Sequence, residues 1–169
     1  MKSIKTTLLT ALLTLTLLQG CGFHLRGAVL LPEEMASTWV AGHGVSNELL
    51  QATGDAIRNT NGGTAGSEST STATLELSNE NFSRRVATVG TDGKVSEYLL
   101  NYSVDWKLKS KGGAILREGS VKQRENYQYS AAQVLGKAQE EAYLREVMVK
   151  AAVRDLMRER SEERRVGKE

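Results

Sequence analysis

The chain has 169 residues, with 22 Lys and Arg against 20 Asp and Glu and a formal net charge of +2. This near balance argues against the strongly basic surface of a general nucleic-acid-binding protein. The only cysteine is Cys21, which excludes an intramolecular disulfide bond.

The first twenty residues have the three parts of a secretory signal peptide. Two lysines are followed by the apolar stretch Leu8–Leu18, and Leu18-Gln19-Gly20-Cys21 resembles the cleavage site of bacterial lipoproteins. As a helix the apolar stretch would span about 16 Å, which is too short for a hydrocarbon core of about 30 Å. We therefore predict that residues 1–20 are removed and that Cys21 carries N-acyl and S-diacylglycerol groups. The alternative is a signal peptide followed by a cysteine without lipid.

The mature chain is predicted to begin with a lipidated tether over residues 21–32, followed by a single domain over residues 33–160. Met35–Ala41 is predicted to be a short strand. A helix is predicted to begin at Ser46 or Asn47 and to end near Asn59, because its apolar residues fall on one stripe at helical spacing. The Gly-, Ser- and Thr-rich segment 60–72 has no large apolar residue and is predicted to be a solvated loop.

Three consecutive strands are predicted between residues 73 and 128. The first covers residues 73–89, and Asp92-Gly93 is typical of the hairpin turn that would follow it. From Tyr98 to Leu108 apolar and polar residues alternate without a break, which indicates a strand with one buried face. Gly112-Gly113 then predicts the turn into a partner strand over residues 114–128.

A long helix is predicted to follow the capping-box pattern Ser130–Gln133 and to end near Arg160. Residues 161–169 are mostly charged, lack an apolar stripe and are predicted to be a disordered tail. The resulting order, β-α-β-β-β-α, predicts an α+β fold in which two helices pack on one face of a four-stranded, mostly antiparallel sheet.

The sequence offers no convincing catalytic or metal-binding set. Its two histidines are His24, close to Cys21, and His43, between two glycines. A thioether-lipidated sulfur cannot act as a thiolate ligand, so Cys21 and His24 do not predict a metal site. No nucleophile elbow or phosphate-binding glycine loop is present in the sequence. We therefore predict a protein that is not an enzyme, with no cofactor and no metal.

Basic residues form local groups, of which four are candidates for binding an anion: Arg84, Arg85, Lys94 and Lys137. One interpretation is that they belong to a solvated sheet face and its hairpin tips. The other is that they bind phosphate groups through charge-assisted hydrogen bonds. At an outer membrane the abundant phosphorylated anion is lipopolysaccharide.

Three segments resemble a known family. Cys21-Gly22-Phe23-His24-Leu25-Arg26-Gly27 is similar to the start of the mature lipopolysaccharide-assembly lipoproteins, LptE. Residues 92–98 (DGKVSEY) resemble the turn of that family into its central strand, and residues 136–141 (GKAQEE) resemble the start of its last helix. The resemblance implies two helices on a four-stranded sheet, in agreement with the predicted order of elements.

The resemblance also implies a location and partners. The protein would be lipid-anchored on the periplasmic side of the outer membrane, would plug the lumen of the β-barrel LptD and help it assemble, and would bind lipopolysaccharide. Lys137 matches a basic position that the family uses for lipopolysaccharide contact. A second such position falls at Gly90 or Thr91 here, so that Arg84, Arg85 or Lys94 would have to replace it. The alternative function is a generic outer-membrane lipoprotein that scaffolds another envelope complex.

Overall fold

The computed structural model describes residues 31–129 and 134–162, with side chains for residues 31–129 and 138–159. The predicted signal peptide, Cys21, the capping box Ser130–Gln133 and most of the predicted tether and tail lie outside the described residues. Neither described helix is long and apolar enough to cross a bilayer.

The described residues form five strands and two α-helices. The first helix begins after Ser46, whose hydroxyl oxygen accepts a hydrogen bond from the Leu49 N–H (3.3 Å), as the sequence predicted. The alternation from Tyr98 to Leu108 lies within a single strand of sixteen residues. The elements in chain order are β1 (Ser37–His43), α1 (Asn47–Arg58), β2 (Gly63–Thr64), β3 (Ala73–Val89), β4 (Val95–Ser110), β5 (Ile115–Gln128) and α2 (Val134–Glu162).

The sheet is mixed and has the strand order β2-β1-β3-β4-β5. β1 is parallel to both β2 and β3, whereas β3, β4 and β5 are joined by antiparallel hairpins. The predicted α+β class with two helices and three consecutive antiparallel strands was therefore confirmed, but the predicted strand number was wrong, because the sheet has five strands and is mixed. The prediction missed β2 because this strand has two residues and pairs through backbone groups alone, which leaves no side-chain pattern in the sequence. The parallel pairing of β1 with β3 follows from α1, which lies in the crossover between them.

One face of the sheet and both helices enclose a single hydrophobic core. The inward-facing residues of β4 pack in that core together with residues of α1 and of the second half of α2. The opposite face of β3, β4 and β5 is mainly polar. Buried apolar residues of the core include Leu49, Ile57, Leu75, Leu77, Leu100, Val104, Trp106, Met148, Val149 and Leu156.

The packed structure extends slightly beyond the domain limits expected from the sequence. Leu31 is 1% exposed, and its backbone N–H donates to the side-chain oxygen of Asn61 (2.7 Å), although residue 31 was assigned to the tether. At the other end α2 continues to Glu162, two residues into the segment predicted to be disordered.

Candidate functional site: a groove beneath the last helix

A groove of about 550 Å³ lies between the first half of α2 and the ends of β3 and β5. Among the described side chains of α2, the first buried apolar one is Met148. The side chains of the preceding turns therefore do not fill the space between the helix and the sheet. Small and aromatic side chains therefore line the groove together with charged ones. The lining residues are Phe82, Arg84, Tyr127, Tyr129, Ala138, Glu141, Ala142 and Arg145.

Glu141 joins α2 to the sheet on one side of the groove. Its carboxylate accepts hydrogen bonds from Arg84 Nη1 (2.5 Å) and from the Tyr127 hydroxyl (3.0 Å). The Arg84 guanidinium also lies 4.7 Å from the centre of the Tyr98 ring. The hydrogen bond to Glu141 raises the pKa of Arg84, and burial is the main cause that raises the pKa of Tyr127. The charge of Arg84 is thus largely compensated within the protein.

Arg145 occupies the other side of the groove and is less completely paired. Its guanidinium lies 5.5 Å from the Phe82 ring centre and 3.9 Å from a carboxylate oxygen of Glu80. Its Nε atom is buried and has no hydrogen-bond partner. The Arg145 side chain as a whole is 41% exposed, so a phosphate or carboxylate in the groove could accept hydrogen bonds from its terminal nitrogens.

Glu80 is a buried carboxylate behind the groove, with 6% of its side chain exposed. It accepts hydrogen bonds from the Ser46 N–H, the Ser46 hydroxyl (2.9 Å) and the Tyr102 hydroxyl (3.0 Å). Burial is the main cause that raises the pKa of Tyr102 well above its usual value, and the charge of Glu80 adds to it. The oxygens of Glu80 already accept hydrogen bonds from these donors, so Glu80 orients Arg145 by charge. The N–H groups of Arg145 therefore remain available to a ligand in the groove.

Of the three predicted basic residues whose side chains the structure describes, one lies in this groove. Arg84 lines it, whereas Arg85 is exposed on the opposite face of the sheet, paired in register with Leu99. Lys94 is exposed at the β3–β4 hairpin, 3.9 Å from Asp92. Lys137 lies in α2, but its side chain is outside the described ones. Arg84, Arg85 and Lys94 therefore do not form one site.

Sequence reasoning missed Arg145 and the aromatic wall of the groove. A signal was present, because Ala138, Ala142 and Arg145 are spaced four and seven residues apart and so share one helix face. Two alanines on an inward face leave space that larger residues would fill. The aromatic wall, by contrast, is assembled from two strands that are far apart in the chain, and no local pattern indicates it.

The groove is suited to binding an anion. Its polar groups are guanidinium, phenol and a carboxylate that already accepts two hydrogen bonds. Among the described residues, no group of three His, Cys, Asp or Glu side chains could hold a metal ion.

Comparison with known proteins identifies one family. The family model LptE, described as lipopolysaccharide-assembly, matches residues 38–159, which include all five strands except the first residue of β1, and most of α2. No curated protein matches the sequence significantly.

Several solved lipoproteins have a similar fold. Lipoprotein B from Nitrosomonas europaea is 24% identical, with a TM-score of 0.69 over 83% of this chain and 90% of that one. Rare lipoprotein B from Shewanella oneidensis is 19% identical, with a TM-score of 0.64 over 78% and 97%. A minor lipoprotein from Acinetobacter baumannii is 17% identical, with a TM-score of 0.65 over 77% and 93%.

Proposed function

Because the chain belongs to the LptE, lipopolysaccharide-assembly, family, we propose that it is an outer-membrane lipoprotein that plugs the LptD β-barrel and helps it assemble. It binds lipopolysaccharide while that lipid is inserted at the cell surface. The family match over residues 38–159 is the observation that carries the proposal. The protein acts by binding and assembly and catalyses no reaction.

The anchor of this lipoprotein is the acylated Cys21. It lies ten positions before Leu31, the first described residue. A chain of this length spans at most about 35 Å. The domain therefore stays close to the periplasmic leaflet of the outer membrane, next to the periplasmic opening of a barrel.

The uncovered face of the sheet supports a position inside a barrel lumen. Outward-facing residues on β3, β4 and β5 include Arg85, Asn101, Ser103, Lys122 and Arg124. The lumen wall of a transmembrane barrel is mainly polar. A polar sheet face can form hydrogen bonds and ion pairs with such a wall, while the apolar core stays enclosed between the sheet and the helices.

The groove beneath α2 supports binding of lipopolysaccharide, which combines phosphate groups with acyl chains. The guanidinium of Arg145 can donate to a phosphate, since guanidinium geometry matches phosphate oxygens. Phe82 and Tyr129 supply an apolar wall beside it. Lys137 lies one residue before Ala138 at the same end of the helix, as the family resemblance requires.

Purification of the full-length protein in mild detergent tests the barrel partnership. LptD is expected to co-purify in a stable complex. Recovery of the protein alone, or with another envelope complex in place of LptD, would contradict this part of the proposal and favour a scaffolding lipoprotein.

Lipopolysaccharide binding is tested with Arg145→Glu and the control Arg154→Glu. Arg154 is an exposed arginine nine residues further along α2, which is two and a half turns and therefore the opposite side of the helix. Arg145→Glu is expected to weaken lipopolysaccharide binding about tenfold, and Arg154→Glu is expected to leave it unchanged. Equal binding of lipopolysaccharide by the two variants would show that the groove is not its binding site.

A further inference from the structure

The β4–β5 hairpin tip, residues 110–116, exposes two adjacent aliphatic side chains. Ile115 is 54% exposed and Leu116 is 41% exposed. Ile115 pairs with Lys109 and Arg117 pairs with Leu108, so Leu116 lies in an irregularity of the ladder between them and has no partner in register. Neither side chain belongs to the hydrophobic core.

This tip lies at the end of the sheet where the packed chain begins. Thr38 in β1 pairs with Ala73 in β3, and Ala73 pairs with Ser110 in β4, whose N–H donates to the Ala114 carbonyl (2.9 Å). These residues form one row across the sheet. The start of β1 and the tip are three strand spacings apart, or about 14 Å.

The chain before β1 stays at this same end. Leu31 is held by two hydrogen bonds to the Asn61 side chain, and the Glu34 carbonyl accepts a hydrogen bond from the Thr72 hydroxyl (2.7 Å). A lipid on Cys21, ten residues earlier, would therefore draw this end of the domain, and not the β3–β4 hairpin, towards the membrane surface.

We propose that, before the domain enters the lumen of a barrel, the β4–β5 hairpin tip is a second membrane contact, in which Ile115 and Leu116 enter the interface of the leaflet that holds the lipid of Cys21. This inference rests on the lipid anchor of the proposed function. The acyl chains of Cys21 hold the protein at the membrane through one flexible point, and a second point of contact fixes the orientation of the domain.

The charges around the tip suit an anionic phospholipid surface. Lys111 is exposed within the turn, and Lys107 and Lys109 precede it on β4. Lys107 pairs with Glu118 (3.0 Å) and Lys109 with Glu76 (2.5 Å), which leaves Lys111 to meet headgroup phosphates. The acidic Glu33 and Glu34 at this end lie before β1, so the contact is made on the β5 side.

Labelling at two matched positions tests the contact. Ile115→Cys and Val89→Cys each place one thiol on the full-length lipidated protein, in which the sulfur of Cys21 is blocked. Val89 is also 54% exposed, but it lies at the β3–β4 hairpin at the other end of the sheet. Each variant carries an environment-sensitive fluorophore and is reconstituted into vesicles of phosphatidylethanolamine and phosphatidylglycerol with brominated acyl chains.

Bromine is expected to quench the probe at position 115 at least about twofold more than the probe at position 89, because interfacial side chains reach the boundary of the acyl chains. Adding Leu116→Asn to the Ile115→Cys variant is expected to reduce this quenching. Equal quenching of the two probes in protein that floats with the vesicles would overturn the membrane contact and leave the proposed function standing. Protein that fails to float would disprove the lipid anchor, and this inference with it.

Discussion

Arg84 and Arg85 are adjacent in the chain but lie on opposite faces of the sheet, since Arg84 pairs in register with Leu100 and Arg85 with Leu99. Leu100 is buried in the core, so Arg84 points towards α2, where it meets Glu141. The same substitution at these two positions therefore tests two different environments.

Arg84→Glu is expected to lower the free energy of unfolding by about 1 kcal/mol, because it removes a partly exposed ion pair and places two carboxylates together. Arg85→Glu is expected to change it by less than about 0.5 kcal/mol. Urea denaturation measures both. The exchange Arg84→Glu with Glu141→Arg should restore most of the loss, and failure of that exchange would show that the pair contributes through something other than its charges.

Glu80→Gln is expected to lower the free energy of unfolding by about 1–2 kcal/mol, because hydrogen bonds from Ser46 and Tyr102 lose a charged acceptor. Glu118→Gln is the control, since Glu118 is 58% exposed and its ion pair is with Lys107, which is also exposed. Thermal or urea unfolding should show little change in this control. A stability of Glu80→Gln equal to that of the control would contradict the role of Glu80 in joining α1 to β3.

Alkaline pH is expected to destabilise the protein through its buried tyrosines. Burial raises the pKa of Tyr102 and of Tyr127 in the folded state above the ordinary value of 10.0. The stability that depends on their protonated hydroxyls is therefore complete below pH 10 and is lost as the pH rises through the folded pKa. Above pH 10, the free energy of unfolding of Tyr102→Phe should fall less steeply with pH than that of the parent protein. Parallel curves would refute this assignment.

Gly119→Ala is expected to destabilise the protein by about 1–3 kcal/mol, because overpacking in a core forces side chains to move. A Cβ at Gly119 would lie 2.7 Å from Cζ2 of Trp106, which is 4% exposed. Gly66→Ala is the matched control, since a Cβ there meets nothing within 4 Å. Denaturation followed by tryptophan fluorescence compares them, and equal stabilities would mean that the Trp106 ring shifts without cost.

Local patterns in the sequence predicted the parts of the fold that depend on local interactions. The alternation from Tyr98 to Leu108 identified the buried face of β4, because side chains on a strand repeat every two residues. The start of α1 was predicted at Ser46 or Asn47, and the capping hydrogen bond shows that it follows Ser46. The long-range strand pairings that define β2 and the aromatic wall of the groove produce no local pattern in the sequence.

The position of Arg84 depends on an irregularity that the sequence pattern does not reveal. Leu77 faces the core opposite Trp106, but beyond a bulge the inward-facing residue is Phe82, opposite Tyr102. Strict alternation from Leu77 would therefore have turned Arg85 inward and Arg84 outward. Asn79, at φ 52°, lies in the bulge that reverses this order.

The parallel pairing of β1 with β3 also determines how the domain withstands a mechanical load. β1 lies between β2 and β3, and it begins at the end of the sheet where Leu31 is held. A pull on the chain before Leu31 would act along the strand axis and load the six residue pairs between Thr38 and His43 and their partners on β3 in shear. Hydrogen bonds loaded together resist more force than bonds that open one at a time, so β1 can transmit tension into the centre of the sheet without peeling away.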